Sequence, residues 1–202
     1  MQDFVLRLKS HLLTRLLGLA YDGDEHEYSA IQRNEVIIDN DLIYEHKVLR
    51  INFTTYDMRR DQDSLKPHDH GDFMVLASED ETSYPYWYGR IIGIFHVDVS
   101  YDGTGSTSSE SQKMEFLWVR WFGQDLGSGY HDGWRARRLP RIGFVPHDDP
   151  GAFGFLDPGL IVRAIHLIPA FSSGRTTNLL PSPSVARRSQ SEDDWAMYYV
   201  NM

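Results

Sequence analysis

The sequence predicts a mainly β fold, a small and partly open barrel of about six to eight strands led by one amphipathic helix. Three observations predict it. Two long runs, Tyr86 to Val99 and Lys113 to Gly123, are dense in aromatic and β-branched residues, which suit a pleated, half-buried surface. The segment between them, Asp102 to Gln112, is too polar and glycine-rich to pack, so the two runs form a hairpin with an exposed tip. Shorter apolar runs bounded by turn residues recur after residue 70, whereas helical periodicity is confined to the amino terminus.

Taken in order, Met1 to Gly18 spaces Phe4, Val5, Leu8, Leu12, Leu13, Leu16 and Leu17 at helical intervals and stops at a glycine, giving an amphipathic helix over 1–20. Tyr21 to Asn34 reads as an acidic, solvated connection, because Asp22, Asp24, Glu25 and Glu27 do not have the spacing of a calcium loop. Glu35 to Asp39 and Leu42 to Thr55 read as a hairpin turned at Asp39-Asn40-Asp41, residues that tolerate turn conformations. Tyr56 to Lys66 is polar and reads as a helical turn or loop, so 21–66 is a hairpin with its connecting segment. Over 67–171 lies the β core. Gly71 to Ala77 is a continuous apolar run, a strand buried on both faces. The central hairpin follows, then a glycine-rich loop, a brief strand at Arg141 to Val145, and a strand within Leu160 to Phe171. Residues 172–193 are rich in Ser, Pro and Arg and read as a flexible tether, and 194–202 returns to strand character.

Composition narrows the function classes. There is no cysteine, so disulfide, zinc-thiolate and thiol chemistry are excluded and a reducing, intracellular compartment is expected. The apolar runs fall short of the roughly 18 residues that span a bilayer, and no signal-peptide core opens the chain, so no membrane partner is expected. A net charge of −9 argues against broad electrostatic binding of nucleic acid, which depends on lysine and arginine neutralising phosphates.

Five segments in order carry a resemblance: Gly71-Asp-Phe-Met-Val-Leu76, Tyr86-Trp-Tyr-Gly-Arg-Ile-Ile-Gly-Ile-Phe95, Glu115-Phe-Leu-Trp-Val-Arg-Trp-Phe122, Arg141-Ile-Gly-Phe-Val-Pro-His147 and Leu160-Ile-Val-Arg-Ala-Ile-His-Leu-Ile-Pro169. Together they resemble the bromo-adjacent homology (BAH) module, a compact β-barrel-like domain of chromatin proteins, over roughly the middle half of the chain. Leu49 to Arg60, Pro150 to Pro158 and Asp194 to Met202 also look similar to the carboxy-terminal region of Plavaka-type transposases of mushroom-forming fungi. The resemblance implies a nuclear, non-catalytic appendage to an upstream transposase region, with no cofactor and with a histone or other protein peptide as partner.

Candidate sites follow from clustering. Tyr84, Tyr86 and Tyr88 open one central strand and Trp121 sits on the other, so these four are expected to line an aromatic peptide groove, since ring faces attract cations. The competing reading is that the rings are barrel core. DNA is the alternative partner, through Arg135, Arg137, Arg138 and Arg141, with Arg59 and Arg60 in support. His70, Asp72, His166 and Arg175 follow the ligand order of iron and 2-oxoglutarate dioxygenases. About one His-x-Asp is expected by chance and the chain has three, the others being His96-Asp98 and His147-Asp149, so the pattern is unspecific and neither a metal nor a catalytic residue is assigned. The serines lie in loop-like stretches without a strained strand-to-helix turn, and both a phosphate-binding loop and a dinucleotide fingerprint are missing. A degenerate remnant that merely folds is the remaining reading.

Overall fold

The structure is a computed structural model that describes residues 4–19, 26–67, 69–77, 85–103, 110–125, 138–187 and 192–201. It is mainly β, as expected. Helix α1 (Phe4–Leu16) is followed by α2 (Ala30–Asn34), β1 (Val36–Ile38), β2 (Tyr44–His46), β3 (Leu49–Thr54) and β4 (Arg60–Leu65). Next come β5 (Asp72–Leu76), β6 (Tyr86–Tyr101), β7 (Gln112–Gln124), β8 (Arg141–Phe144) and β9 (Phe153–Leu156). The chain finishes with β10 (Ile161–Ala164), β11 (His166–Pro169), β12 (Arg175–Thr176), β13 (Asp194–Trp195) and β14 (Tyr198–Asn201).

The expected central hairpin is the spine. β6 and β7 pair antiparallel from Tyr88 opposite Phe122 to Val99 opposite Gln112, with a bulge between Ile91 and Gly93. β5, β2 and β1 lie in turn along the other edge of β6, and β8 and β9 along the other edge of β7. The strand order β10-β5-β6-β7-β8-β14-β11 has a telling pair of ends. β10 and β11 are two halves of one strand separated by Ile165, whose N–H donates to the Asp72 carbonyl. The ends of the order therefore meet, and the sheet rolls on itself.

Met74, Tyr88, Phe122, Phe144, Tyr198 and Val200, drawn from five strands around the roll, share its inner face. Residues on the opposite face of β5, β6 and β7, among them Phe73, Ile91 and Val119, are capped by the β3–β4 hairpin through Leu65, Leu49 and Ile51. Phe73 closes over Gly89, where a Cβ would come within 2.5 Å of the ring, so glycine is required by that approach. α1 covers the far end of the spine, burying Leu8, Leu12 and Leu13 against Val97, Val99, Met114 and Phe116. Its end is a Schellman cap: Gly18, at φ 68°, donates to the Arg15 carbonyl and Leu19 donates to that of Thr14.

Three expectations in the first third are corrected. The connection at 21–34 contains α2, which begins with a capping box: Gln32 N–H donates to the Ser29 hydroxyl while Ser29 N–H donates to Gln32 Oε1. The expected hairpin across Asp39-Asn40-Asp41 does not form. Asn40 and Asp41 do take left-handed conformations, but they pass the chain from β1 to β2 along the same edge of β6. The hairpin is instead β3 with β4, from Leu49 opposite Leu65 to Thr54 opposite Arg60. β4 has no apolar alternation to announce it, because its pairing with β3 and one buried residue, Leu65, hold it in place. Of the segment 172–193, Leu180, Ala186 and Arg187 are buried. Among the described residues, no helix is long and apolar enough to cross a membrane.

Candidate functional site

The inner face of the roll carries charge as well as rings. Arg90 stands on β6 directly opposite Asp72 on β5 and directly opposite Arg120 on β7. Its Nε donates to Asp72 Oδ1 at 2.6 Å and its Nη2 to Oδ2 at 3.0 Å, a bidentate pair. Arg120, with 0% of its surface exposed, donates through Nη1 to Asp194 Oδ2 at 3.2 Å and through Nη2 to the Leu179 carbonyl at 3.3 Å. Arg187 reaches in from the irregular segment before β13 and donates to the same Asp194 oxygen at 3.1 Å. It also donates to the carbonyls of Leu180 and Glu192, at 2.8 and 2.9 Å. Asp194 thus ties β7, through Arg120, to the irregular segment before β13, through Arg187.

Rings complete the surroundings. The Arg120 guanidinium lies 3.6 Å from the Phe144 ring centroid, and Arg90 lies 5.0 to 5.8 Å from those of Phe144, Phe122 and Tyr198. Burial works against the charge on Arg90, but the attraction and hydrogen bonds of Asp72, joined by Tyr198, more than offset it, so its pKa is raised. For Arg120 burial wins, and its pKa is lowered despite Asp194, with Arg90 and Arg187 adding repulsion. Burial raises the Tyr198 phenol, partly opposed by Arg90. Among the described residues, the buried ions are three guanidiniums against two carboxylates, which leaves one positive charge in excess. Among the described residues, Nε of Arg120 and Nε of Arg187 have no acceptor.

This network floors a cavity of about 300 Å³. Arg90, Arg187, Asp72, Asp194 and Tyr198 form its deep part. Ile165, Leu167, Pro169 and Trp195 give it an apolar wall, and Arg175, Asp193, His166, Asp69 and His70 surround the mouth. Arg175 is held by Asp193 at 2.5 Å and lies over the Trp195 ring at 5.2 Å.

The chain matches no protein-family model, no curated protein and no solved structure. Function must therefore be argued from this site.

The aromatic groove expected from the sequence is not assembled. Tyr84 lies outside the described residues. Tyr88 is buried with the inner-face rings and Tyr86 packs half-buried beside them, whereas Trp121 packs edge-on against Phe73 on the opposite face. The reason is register: Trp121 is paired with Gly89, one residue from Tyr88, and one residue reverses the face. Of the basic segment, Arg135 and Arg137 lie outside the described residues, and Arg138 is exposed. Arg141 is committed to Asp125, to whose Oδ2 its Nε donates at 2.7 Å.

His70, Asp72, His166 and Arg175 do meet, around the cavity. They do not make a metal site, because Arg90 takes both Asp72 oxygens and His70 Nδ1 faces Asp69 at 2.8 Å. Among the described residues no group of three potential ligands is placed to hold a metal. Sequence reasoning missed Arg90, Arg120, Arg187, Asp194 and Tyr198. The available signal was an arginine inside each of two apolar strands, Gly-Arg-Ile-Ile and Val-Arg-Trp-Phe, since a charge there needs a buried partner.

Proposed function

We propose that the chain is a non-catalytic protein-interaction module that receives one side chain of a partner peptide in the cavity of the rolled sheet. One observation carries the reading: about 300 Å³ of space opens onto a floor of buried charges that are already held by one another. That volume is at the small end for ligand sites, enough for a long side chain and small for a dinucleotide or haem-sized group. A floor fixed in advance binds without reorganising, which is what makes a small contact selective. The resemblance to BAH modules and to a transposase appendage favours a nuclear partner, a histone or another protein of a transposition complex.

The test is a peptide panel, histone tails included, titrated into the isotope-labelled chain. The reading expects saturable shifts at Trp195, Leu167 and Tyr198; a panel that leaves all three unmoved sinks it.

A further inference from the structure

We infer that His46 and His96 form a two-imidazole site for a borderline divalent transition ion of the zinc or copper(II) class, where β2 is laid along β6. The site stands apart from the cavity and does not rest on the peptide reading.

Strand register brings the two rings together. β2 runs antiparallel to β6 with Tyr44 opposite His96 and His46 opposite Ile94, so His46 and His96 are diagonal neighbours on one face of the sheet. It is the face turned away from α1, which covers the alternate residues Val97, Val99, Met114 and Phe116. His46 Nε2 lies 2.6 Å from His96 Nδ1, and the two rings are stacked with centroids 4.9 Å apart. Tyr44 stacks on His96 in turn, 11° from parallel with centroids 4.6 Å apart, which fixes the plane of that ring.

Two ring nitrogens at this distance share one hydrogen, one nitrogen donating and the other accepting. Moving that proton to the other nitrogen of its own ring leaves both facing lone pairs free with no change in net charge. A tetrahedral ion at about 2.0–2.1 Å from each nitrogen needs them about 3.3 Å apart, so the rings must part by about 0.7 Å, which rotation about χ2 supplies.

The charge around the pair has the sign a cation needs. The charged groups that act on His96 are Asp98 and Glu115 against Lys113, an excess of one negative charge, and Glu115 stands directly opposite His96 on β7. Imidazole nitrogen suits zinc and copper(II), whereas calcium and magnesium take oxygen ligands. With half the protein ligands of a structural zinc site and water completing the shell, the dissociation constant for zinc should be on the order of 1–100 μM. The bound ion would pin β2, a strand of three residues, to the long strand β6.

The experiment titrates the full chain, first stripped with a chelator, with zinc(II), copper(II) and calcium at neutral pH. Zinc and calcium are followed by the imidazole proton resonances and copper by electron paramagnetic resonance. The expected result is one equivalent of zinc that moves the His46 and His96 rings together, tighter binding of copper(II) with a two-nitrogen signature, and no response to calcium. His46→Gln and His96→Gln should each weaken zinc at least about tenfold, whereas His147→Gln, at an exposed loop position, should leave it unchanged. Should either variant fail to fold, the two ring signals of the parent chain decide. Zinc that shifts other histidines and leaves these two unmoved overturns the site and reduces the pair to a hydrogen bond. Affinity unchanged in folded His46→Gln and His96→Gln also overturns it, and calcium binding as tightly as zinc overturns the choice of ion.

Discussion

Asp194 is the residue whose loss should be felt most. Replacing it with asparagine keeps the shape and removes the charge that Arg120 and Arg187 share at 3.2 and 3.1 Å. The buried ions then become three guanidiniums against one carboxylate, in a site where Arg120 is fully enclosed. Removing one member of a buried ion pair costs about 3–5 kcal/mol, because the partner is left charged and dry. For a chain of this length about 2–4 °C of melting temperature goes with each kcal/mol, so Asp194→Asn should melt about 6–20 °C lower. Urea unfolding at pH 7, read by tryptophan fluorescence, measures the loss directly. Arg59→Gln is the control, since its pair with Asp57 stands in solvent and such pairs are worth at most about 1 kcal/mol. If Asp194→Asn unfolds within about 1 kcal/mol of the parent, the network is wet and the charge argument built on it fails.

Burial, followed by repulsion from Arg15, lowers the pKa of His11 from 6.5 to about 3, and its Nε2 has no partner among the described residues. The folded state therefore resists a proton that the unfolded chain accepts. His11 contributes its full stability above pH 6.5 and loses it as the pH falls towards 3, at up to about 1.4 kcal/mol per pH unit. The fall in urea midpoint between pH 7 and pH 5 should be smaller in His11→Leu than in the parent; equal falls would refute the assignment. Iron(II) with 2-oxoglutarate should give no charge-transfer absorption, because Arg90 occupies both oxygens of Asp72; a band lost in Asp72→Ala would reopen the dioxygenase reading. Any affinity for duplex DNA should be unchanged by Arg141→Gln, since that guanidinium is already committed to Asp125; a marked fall in the salt dependence would reverse this.

The fold was legible where local pattern and pairing agree. The Tyr86–Val99 and Lys113–Gly123 runs announce their own pairing, because dense aromatic and β-branched content leaves no competing structure and the polar segment between them cannot pack. β4 was not legible. Arg60 to Ser64 has the composition of a loop, and its pairing with β3, with Asp63 accepting from Arg163 and Ala164 on β10, makes it a strand, an instance of tertiary contacts overriding propensity. The site was half legible. The sequence placed aromatic residues on the spine, but whether Trp121 faces Tyr88 or turns away depends on a register of one residue, which composition cannot fix. Arg187 was beyond reach, because a serine- and proline-rich stretch gives no sign that one of its arginines will be drawn inside to meet Asp194.

The decisive question is why the roll keeps three arginines at all. Two of them, Arg90 and Arg120, oppose each other across paired strands, an arrangement that is unfavourable until carboxylates intervene. If the network served the fold alone, apolar side chains would do as well, because exchanging a whole buried ion cluster for hydrophobic residues of similar volume is often neutral or stabilising. The combined replacement Arg120→Met, Arg187→Leu and Asp194→Leu removes two positive charges and one negative together and leaves the Arg90–Asp72 pair intact. It should unfold within about 2 kcal/mol of the parent, in contrast to Asp194→Asn alone. A triple variant that is as unstable as the single one would mean that the charges are there for the architecture. One that is as stable as the parent would mean that the fold does not need the charges and that they are kept for what enters the cavity.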